Sequence, residues 1–566
     1  MTDHAMVGHG ASAPARRERA SHAVRSCVTI AVTMALVGGA AGRAQGQATH
    51  HADHAPGAVD FPASCSGPAR TELDRGVALL HHMTYPGARE AFGRAAELDA
   101  RCAMAHWGIA MTLFQPLWPT RPSPEELRQG WAAVQRAAAL EPPTERERLL
   151  VDAAAAFFRE PASTDYWLRI RRWEAAMAAV HAAFPQDPEV AAFYALAQLA
   201  VAPSDTVSSA HLERAADLLL GVYRRNPDHP GAMHYLVHAS DAPGRERALL
   251  AIVRKYETAA PDNAHALHMP THIYMRLGDW QAAIRGNLRA ADAALAQPAG
   301  DRGQFVWDEF PHAIEYVVYA YLQTGADDQA AAQLKRLQAT ARLQPSFKTA
   351  FHLASTSARY ALERRAWSEA MALTPREPAT LDWDQFTWAE AVTWFARGLG
   401  AAHEGRVAEA RAAVGRLDTL ETAARGAGEE LFARNIRILR LEVGAWLAHA
   451  GHDSAASVAL MREAADLEVA TPKHAVTPAP TLPAHELLGD LLMAQARPAD
   501  ALVAYRRALG LYPRRLNGLL GAARAARASG DASLARTFYQ ELLDVAGNAT
   551  RASVLEEARA FVSPPR

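Results

Sequence analysis

The chain is poor in cysteine and carries no surplus of either charge. Only three of its 566 residues are cysteines, and none lies near the histidine-rich stretch 233–315, which disfavours a structural zinc site of the cysteine type. The 59 lysines and arginines nearly balance the 61 aspartates and glutamates. Dedicated nucleic-acid binders need a basic surplus on one face, so we expect no nucleic-acid partner.

The common catalytic motifs are also missing. The sequence has no Gly-x-x-x-x-Gly-Lys-Ser/Thr phosphate loop, no His-Glu-x-x-His helix, no Gly-x-Ser-x-Gly elbow and no strand pattern for a dinucleotide site. These absences exclude only the enzyme classes that depend on such motifs. A metal site built on a helical repeat would carry none of them.

The amino-terminal residues have the pattern of an export signal. A basic region that ends at Arg25 precedes an apolar run over 27–37, and small residues follow up to Ala44. We therefore predict a signal peptide over 1–44 and an exported protein, periplasmic or secreted. No later apolar run reaches the length of a membrane span, so we expect no transmembrane segment after cleavage. An uncleaved anchor is the alternative.

Residues 45–60 lack apolar periodicity and are predicted to be a flexible leader. His50, His51 and His54 within it are either a metal-capturing group or incidental weak ligands.

Removal of the signal peptide leaves two cysteines, Cys65 and Cys102. An even pair of thiols in an oxidising compartment predicts a disulfide that holds the segment after residue 60 against the second helical hairpin. The alternative is that both are separate small apolar residues.

The rest of the chain is helical in pattern and repeats its small and aromatic residues at fixed offsets. Residues 76, 88, 92 and 95 are Gly, Ala, Phe and Ala, and residues 489, 501, 505 and 508 are Gly, Ala, Tyr and Ala, at the same offsets of 12, 16 and 19. This pattern resembles the tetratricopeptide repeat (TPR), a helix-turn-helix unit of 34 residues. The resemblance implies an all-α, right-handed α-solenoid of about ten to twelve helical hairpins.

Proline-rich breaks divide this array into predicted domains. We expect an N-terminal TPR-like solenoid with a histidine-rich groove over 61–373, further helical hairpins over 379–470, a Pro-rich linker over 471–483, and C-terminal repeats with a capping helix over 484–562. Segments 61–65, 102–108 and 265–272 resemble a group of exported bacterial TPR proteins of largely undefined function. That resemblance implies a fold and a compartment, and no catalytic residue.

Histidines recur in register with the repeat. His234 and His268 are 34 residues apart, and so are His238 and His272. In TPR proteins the first helix of each repeat lines a concave groove, chiefly through positions 2, 5, 9, 12 and 13. With Gly278 as position 15, the resemblance places all of these histidines on the groove side. Residues three or four apart also share a helix face, which supports the same placement.

Neutral imidazoles and a carboxylate in one groove are ligands for a transition metal, and copper, zinc and iron all fit this donor set. A solvent-filled groove would leave a coordination position open for water or substrate. The predicted ligands suffice for one saturated site or two open ones: His234, His238, His268, His272, His312 and Glu315. Additional candidates, as ligands, as orienting partners or for proton transfer, are Asp241, His265, Tyr319, His352 and His81.

Three functions follow from this interpretation. The metal could act in chemistry on a small molecule or peptide bound in the groove, and whether the protein is an enzyme stays open. The groove could instead bind an extended partner segment without any metal, with histidines that only stack and hydrogen-bond. The third alternative is metal storage or delivery, in which the leader histidines would take part.

Overall fold

The computed structural model describes Gly57 and residues 59–118, 121–162, 165–204, 208–242, 244–300, 303–546 and 550–563. The predicted signal peptide and nearly all of the predicted leader lie outside these residues. The described residues form one compact unit.

Up to residue 297, all regular elements of the described residues are helices. Short 3₁₀ turns occur at Ala202–Ser204 and Glu246–Leu249. The helices of this part are α1 (Gly67–His81), α2 (Tyr85–Leu98), α3 (Ala103–Thr112), α4 (Pro124–Ala139), α5 (Glu145–Phe158), α6 (Tyr166–Ala183), α7 (Pro188–Val201), α8 (Ser208–Arg225), α9 (Pro230–Ser240), α10 (Leu250–Tyr256), α11 (Ala264–His268), α12 (Pro270–Leu277) and α13 (Trp280–Ala296).

A two-stranded antiparallel sheet separates this part from the next, with β1 at Pro298–Ala299 and β2 at Phe305–Val306. A third 3₁₀ turn lies at Trp383–Gln385. The remaining helices are α14 (Glu309–Gln323), α15 (Asp327–Ala339), α16 (Phe347–Glu363), α17 (Trp367–Ala372), α18 (Thr387–His403), α19 (Val407–Gly426), α20 (Glu430–Ala450), α21 (Ser454–Ala470), α22 (Ala484–Ala494), α23 (Pro498–Leu511), α24 (Leu516–Ala528), α25 (Ala532–Val545) and α26 (Ala552–Val562).

Consecutive helices pack as hairpins, and the first helices of neighbouring hairpins also touch, as α14 and α16, α16 and α18, and α18 and α20 do. With α11 and α12 taken as one interrupted helix, the described chain forms twelve hairpins and the closing helix α26. The predicted all-α, TPR-like solenoid is confirmed. Among the described helices, none combines the length and the apolar character needed to cross a membrane.

The repeated small and aromatic residues pack as the pattern predicts. A Cβ atom on Gly76 would lie 2.6 Å from the ring of Phe92, and one on Gly108 would lie 2.4 Å from it. In the C-terminal repeats, Cβ atoms on Gly489 and Gly521 would lie 2.7 Å and 2.3 Å from the ring of Tyr505. Each aromatic ring therefore fills space that two glycines leave open, and a larger residue at either position would force the helices apart.

The segment before α1 is fastened to the first hairpins. Cys65 forms a disulfide with Cys102, which directly precedes α3 (S–S 2.08 Å). The backbone N–H and the hydroxyl of Ser64 both donate to the carboxylate of Glu147 on α5. The disulfide thus lies where the sequence predicts it, at the second hairpin.

The array curls so that helices far apart in sequence meet. Helix α1 packs against α9, and α24 packs against α14. The Pro-rich segment 471–483 also contacts the middle of the array. Arg359 of α16 donates to the carbonyl oxygen of Pro480 in this segment (2.8 Å), and Lys473 of the segment forms an ion pair with Asp241 (2.5 Å). Although the predicted domain boundaries remain predictions, this segment is held in the interior and is not an exposed connector.

A buried arginine joins the C-terminal repeats to the middle of the array. Arg515, which directly precedes α24, forms ion pairs with Glu363 (2.8 Å) and Glu486 (2.9 Å) and donates to the hydroxyl of Tyr319 (2.8 Å). All four residues are buried. Because burial of a charge is costly unless it is paired, the two carboxylates depend on this guanidinium.

We predict that Arg515→Met lowers the free energy of unfolding by about 3–5 kcal/mol, because it leaves the buried Glu363 without this cation and Glu486 with only the longer ion pair to Arg365 (3.3 Å). Urea titration followed by circular dichroism measures the change. The control is Arg524→Met, which removes a half-exposed ion pair with Glu557 and is expected to cost less than about 1 kcal/mol. Equal losses in the two variants would contradict the interpretation.

Candidate metal centre

Six histidines meet in the interior as two groups of three, which we call triad A and triad B. In each triad, one nitrogen atom of every imidazole lies within 4.8 Å of those of the other two. Five of the six side chains are buried, and His238 is partly exposed. Triad A consists of His234, His238 and His265, and triad B of His268, His272 and His312.

The two triads are the same arrangement, displaced by one repeat. Helix α9 supplies two members of triad A, one turn apart on one face, and α11 supplies the third. Triad B takes one member each from α11 and α12, again one turn apart, and its third from α14. In TPR numbering each triad therefore combines positions 5 and 9 of one repeat with position 2 of the next.

A proline interrupts the helix that serves both triads. Pro270 has no backbone N–H and separates α11, which ends at His268, from α12. The hydroxyl of Thr271 donates to the carbonyl oxygen of His268 (2.6 Å) and so satisfies an acceptor at the break. The break lies between the two members of triad B on this helix, and Met269 within it keeps helical backbone angles (φ −56°, ψ −42°).

In triad A, an acceptor outside the triad determines the tautomer of His234. Its Nδ1 lies 2.5 Å from the carbonyl oxygen of His81, which can only accept, so Nδ1 carries the proton and Nε2 bears a lone pair. That Nε2 lies 3.0 Å from Nε2 of His265 and 3.2 Å from Nε2 of His238. Nδ1 of His265 is 3.3 Å from the carboxylate of Glu309.

In triad B, two lone pairs face each other. Nδ1 of His272 donates to the carboxylate of Asp241 (2.9 Å), and Nδ1 of His268 donates to the side-chain oxygen of Asn287 (2.7 Å). Both Nε2 atoms are therefore unprotonated, and they are 3.0 Å apart. The neutral pair offers no hydrogen bond at this contact.

The third member of triad B is oriented through a chain of two further residues. Glu315 accepts from Nδ1 of His352, whose Nε2 then accepts from Nδ1 of His312 (2.7 Å). Arg359 holds the far side of the Glu315 carboxylate (2.6 Å). Nε2 of His312 is consequently left with a lone pair, as in the other two members.

Three of the distances within the triads are close to those of a coordination sphere, and the other nitrogen atoms lie within 4.8 Å of one another. Two imidazole nitrogens bound tetrahedrally to one ion at about 2.0–2.1 Å lie about 3.4 Å from each other. The measured Nε2 separations of 3.0–3.2 Å are slightly shorter. An ion bound between these nitrogen atoms would push the imidazoles only slightly apart and would require little movement of the helices.

Burial favours the neutral form of five of the six triad imidazoles. It is the largest cause that lowers the pKa of five of the imidazoles, and for all five a neighbouring imidazole lowers the pKa further: His234, His238, His268, His272 and His312. Burial alone would raise the pKa of Asp241, but Lys473 and Arg276 outweigh it and hold that pKa well below its usual range. The acceptor of the His272 proton is thus a carboxylate.

The structure brings together five of the six predicted ligands and adds His265, which the sequence predicts as an additional candidate. Glu315 is outside both triads and acts on triad B only through His352. Asp241 orients a triad member, as predicted for a partner of the ligands. The hydroxyl of Tyr319 accepts a hydrogen bond from Arg515. The tyrosine whose ring contacts triad B is Tyr316.

His81 belongs to a third group. Its Nε2 contacts the carboxylate of Glu189 (2.8 Å), which also lies 3.2 Å from Nε2 of His229, and its Nδ1 lies 3.1 Å from the hydroxyl of Tyr235. The carbonyl oxygen of His81 nevertheless reaches triad A. The Glu189 carboxylate lies between the two rings, but Nε2 of His229 makes no hydrogen bond to it.

The predicted solvent-filled groove is wrong for these residues, because the triads are covered. A cavity of about 10 Å³ lies between them and touches His238 and His265 of triad A and His272 and His312 of triad B. Its other walls are apolar, and Ala475 of the Pro-rich segment is one of them. The remaining wall residues are Met83, Leu117, Trp118 and Met269.

Several residues of the centre carry no signal in the sequence. Asn287 lies on the second helix of its repeat, and Trp118 lies between α3 and α4, far from the histidines in sequence. Lys348 of α16 reaches Glu309 and lies 3.9 Å from the ring centre of Trp118. Only the packed structure shows that these residues belong to the centre.

The fold and the site together define an all-helical TPR-like solenoid with a buried six-histidine centre. No protein-family model matches the chain, and no curated protein matches it. Among solved structures, the APC/C hetero-tetramer Cut9–Hcn1 is 13% identical with a TM-score of 0.27, covering 87% of this chain and 96% of that chain. A human IFIT1 dimer with PPP-AAAA is 12% identical with a TM-score of 0.38, covering 79% and 91%. Likeness at this level carries no functional information for this chain.

We predict that the metal-free protein loses stability as the pH falls below about 6.5, the pKa of histidine in an unfolded chain. Below this pH the histidines of the unfolded state bind protons. The same histidines stay neutral in the folded state, because their pKa values there are lowered. Each such histidine removes about 1.4 kcal/mol per pH unit until its own folded pKa is reached.

Urea titrations of the metal-free protein between about pH 7.5 and pH 5 measure this slope. The matched variant is His238→Asn, which removes one histidine of lowered pKa and is expected to reduce the slope by about 1.4 kcal/mol per pH unit. A free energy of unfolding that does not change over this range would contradict neutral, buried triads.

Proposed function

We propose that the protein binds two transition-metal ions, one in each triad, and that this dinuclear centre is its functional site. The observation that carries the proposal is the contact between His268 and His272. Two lone pairs that face each other at 3.0 Å in a buried pocket repel, and a cation between the triad members removes that repulsion. A cluster held by hydrogen bonds alone would place a donor against each acceptor.

The donor set favours copper or zinc. Each triad offers three imidazole nitrogens and neither a thiolate nor a carboxylate, and imidazole suits zinc, copper, iron and nickel, whereas manganese and magnesium prefer oxygen. Three ligands leave at least one coordination position open at each ion. Such positions are used for reaction or for reversible ligand binding, and the site is therefore suited to metal-dependent chemistry on a small molecule.

The small cavity and the Pro-rich segment argue against a peptide as the ligand here. Tyr316 donates to the carbonyl oxygen of Ala475, so the chain itself covers the face of α14 that carries triad B. An extended partner segment would have to displace residues 471–483. We therefore do not place the partner-binding scaffold function in this groove.

Export is part of the proposal. The Cys65–Cys102 disulfide supports it, because such bridges persist in oxidising compartments and are rare in the cytosol.

The first test is metal content. We expect two equivalents of copper or zinc in the purified protein, in a background where His50, His51 and His54 of the leader are replaced by glutamine. His265→Gln, which opens triad A, and His312→Gln, which opens triad B, should each leave about one equivalent, since two imidazoles hold an ion far more weakly than three. Elemental analysis measures the content, and thermal melting checks that each variant is folded.

The matched control is His106→Gln, a partly exposed histidine outside both triads, which should retain both equivalents. A metal content far below one equivalent, equal in the parent and in all three variants, would contradict the proposal. X-ray absorption of the loaded protein gives an independent count of the imidazole ligands.

A second prediction addresses the orientation of the ligands. Asn287→Ala removes the acceptor of the His268 proton and is expected to weaken metal binding in triad B about 10–100-fold. Triad A has no contact with Asn287 and should keep its affinity, so it serves as an internal control. Competitive titration with a metal chelator resolves the two affinities. Equal weakening of both sites would show a general loss of folding instead.

A further inference from the structure

The cavity between the triads limits what the proposed metal centre can bind. Its volume is about 10 Å³, which is about the space that one water-sized molecule needs. It touches two imidazoles of each triad, so a ligand inside it reaches both ions at once. Trp118, Leu117, Met83 and Met269 supply no strong hydrogen-bond acceptor for such a ligand. The site therefore admits only a ligand of one or two non-hydrogen atoms that needs no hydrogen-bond acceptor.

The charges around the centre limit the metal. Four carboxylates contact the triads or their supporting residues, namely Asp241, Asp308, Glu309 and Glu315, and four cations pair with them, namely Arg276, Lys473, Lys348 and Arg359. The protein therefore brings no net negative charge to the pocket from these groups. Two divalent ions would place four uncompensated positive charges in a buried site, which is costly.

Two monovalent copper ions halve that charge. Cuprous copper accepts three imidazole nitrogens without a water ligand, and the apolar walls provide no water network to complete a larger coordination sphere. Zinc used for hydrolysis would need room for both a water and a substrate, and the cavity is too small to hold the two together.

We propose that the centre holds a pair of copper ions and binds dioxygen in the cavity between triad A and triad B. This inference rests on the proposed function and names its metal and its ligand. Each Cu(I) gives one electron, dioxygen takes both and becomes a peroxide dianion bound to two Cu(II), and the O–O bond remains intact. No proton enters or leaves.

The charge of the pocket is the same before and after this step. Two Cu(I) ions carry two positive charges, and two Cu(II) ions with one peroxide dianion also carry two. Because the buried surroundings cannot supply a new counter-ion, a step that conserves charge avoids a desolvation penalty. Dissociation of dioxygen returns both electrons to the copper ions, and the absence of space for an organic substrate makes binding, and not oxygen transfer, the expected reaction.

The test uses the full chain with the leader histidines replaced by glutamine. The protein is loaded with Cu(I) without oxygen, its copper content is measured, and dioxygen is then added. We expect uptake of one dioxygen for each pair of coppers, an intense near-ultraviolet charge-transfer band, and no electron paramagnetic resonance signal because the two Cu(II) spins couple. Purging with argon should reverse the band.

Three controls separate the possible failures. The zinc-loaded protein should take up no dioxygen. His312→Gln should keep one copper in triad A and lose the paired uptake at least tenfold, with an ordinary single-ion Cu(II) signal after oxidation. His106→Gln should behave as the parent.

Two bound coppers with no dioxygen uptake would overturn this inference and leave the proposed function standing. Retention of zinc but not of copper would do the same. Absence of any bound metal would overturn both. Uptake that survives unchanged in His312→Gln would also overturn it, because the oxygen would then not lie between the triads.

Discussion

The structure depends on one constraint: imidazoles buried in its interior must be neutral, and their outer nitrogens are already paired. The His81 carbonyl, the Asp241 carboxylate and the Asn287 amide each accept a proton from a ring Nδ1. Every inner nitrogen on these rings is then a lone pair aimed at its neighbours. The fold holds several such lone pairs together against their repulsion, and a bound cation is the simplest stabilising partner.

The surrounding architecture makes that burial possible. The curled array brings α1 against α9, and the Pro-rich segment covers the opposite side. Charged groups near the centre are balanced by ion pairs, such as Lys348 with Glu309 and Arg359 with Glu315, so no isolated charge is buried beside the triads. Arg515 has the same role at the join with the C-terminal repeats.

Much of this arrangement could be predicted from periodicity. Glycine and aromatic residues at equal offsets predicted the hairpins, and the ring of Phe92 does fill the space beside Gly76. The spacing of 34 residues predicted that histidines of successive repeats lie on one face. Burial was not predictable, because the groove rule says which side of a helix a residue occupies and not what covers that side. Glu315 obeys the register and yet contacts His352.

The order of residues along the chain was sufficient for the helical repeat and the register of the histidines, because these depend on local spacing, whereas the disulfide pair followed from the number of cysteines. Their division into two triads depended on the stacking of the first helices, because His265 lies against His234 of α9 and His268 lies against His312 of α14. The tautomers depended on acceptors from α1, α13 and α16. Those contacts join residues 19 to 153 positions apart, and only the packed chain brings them together.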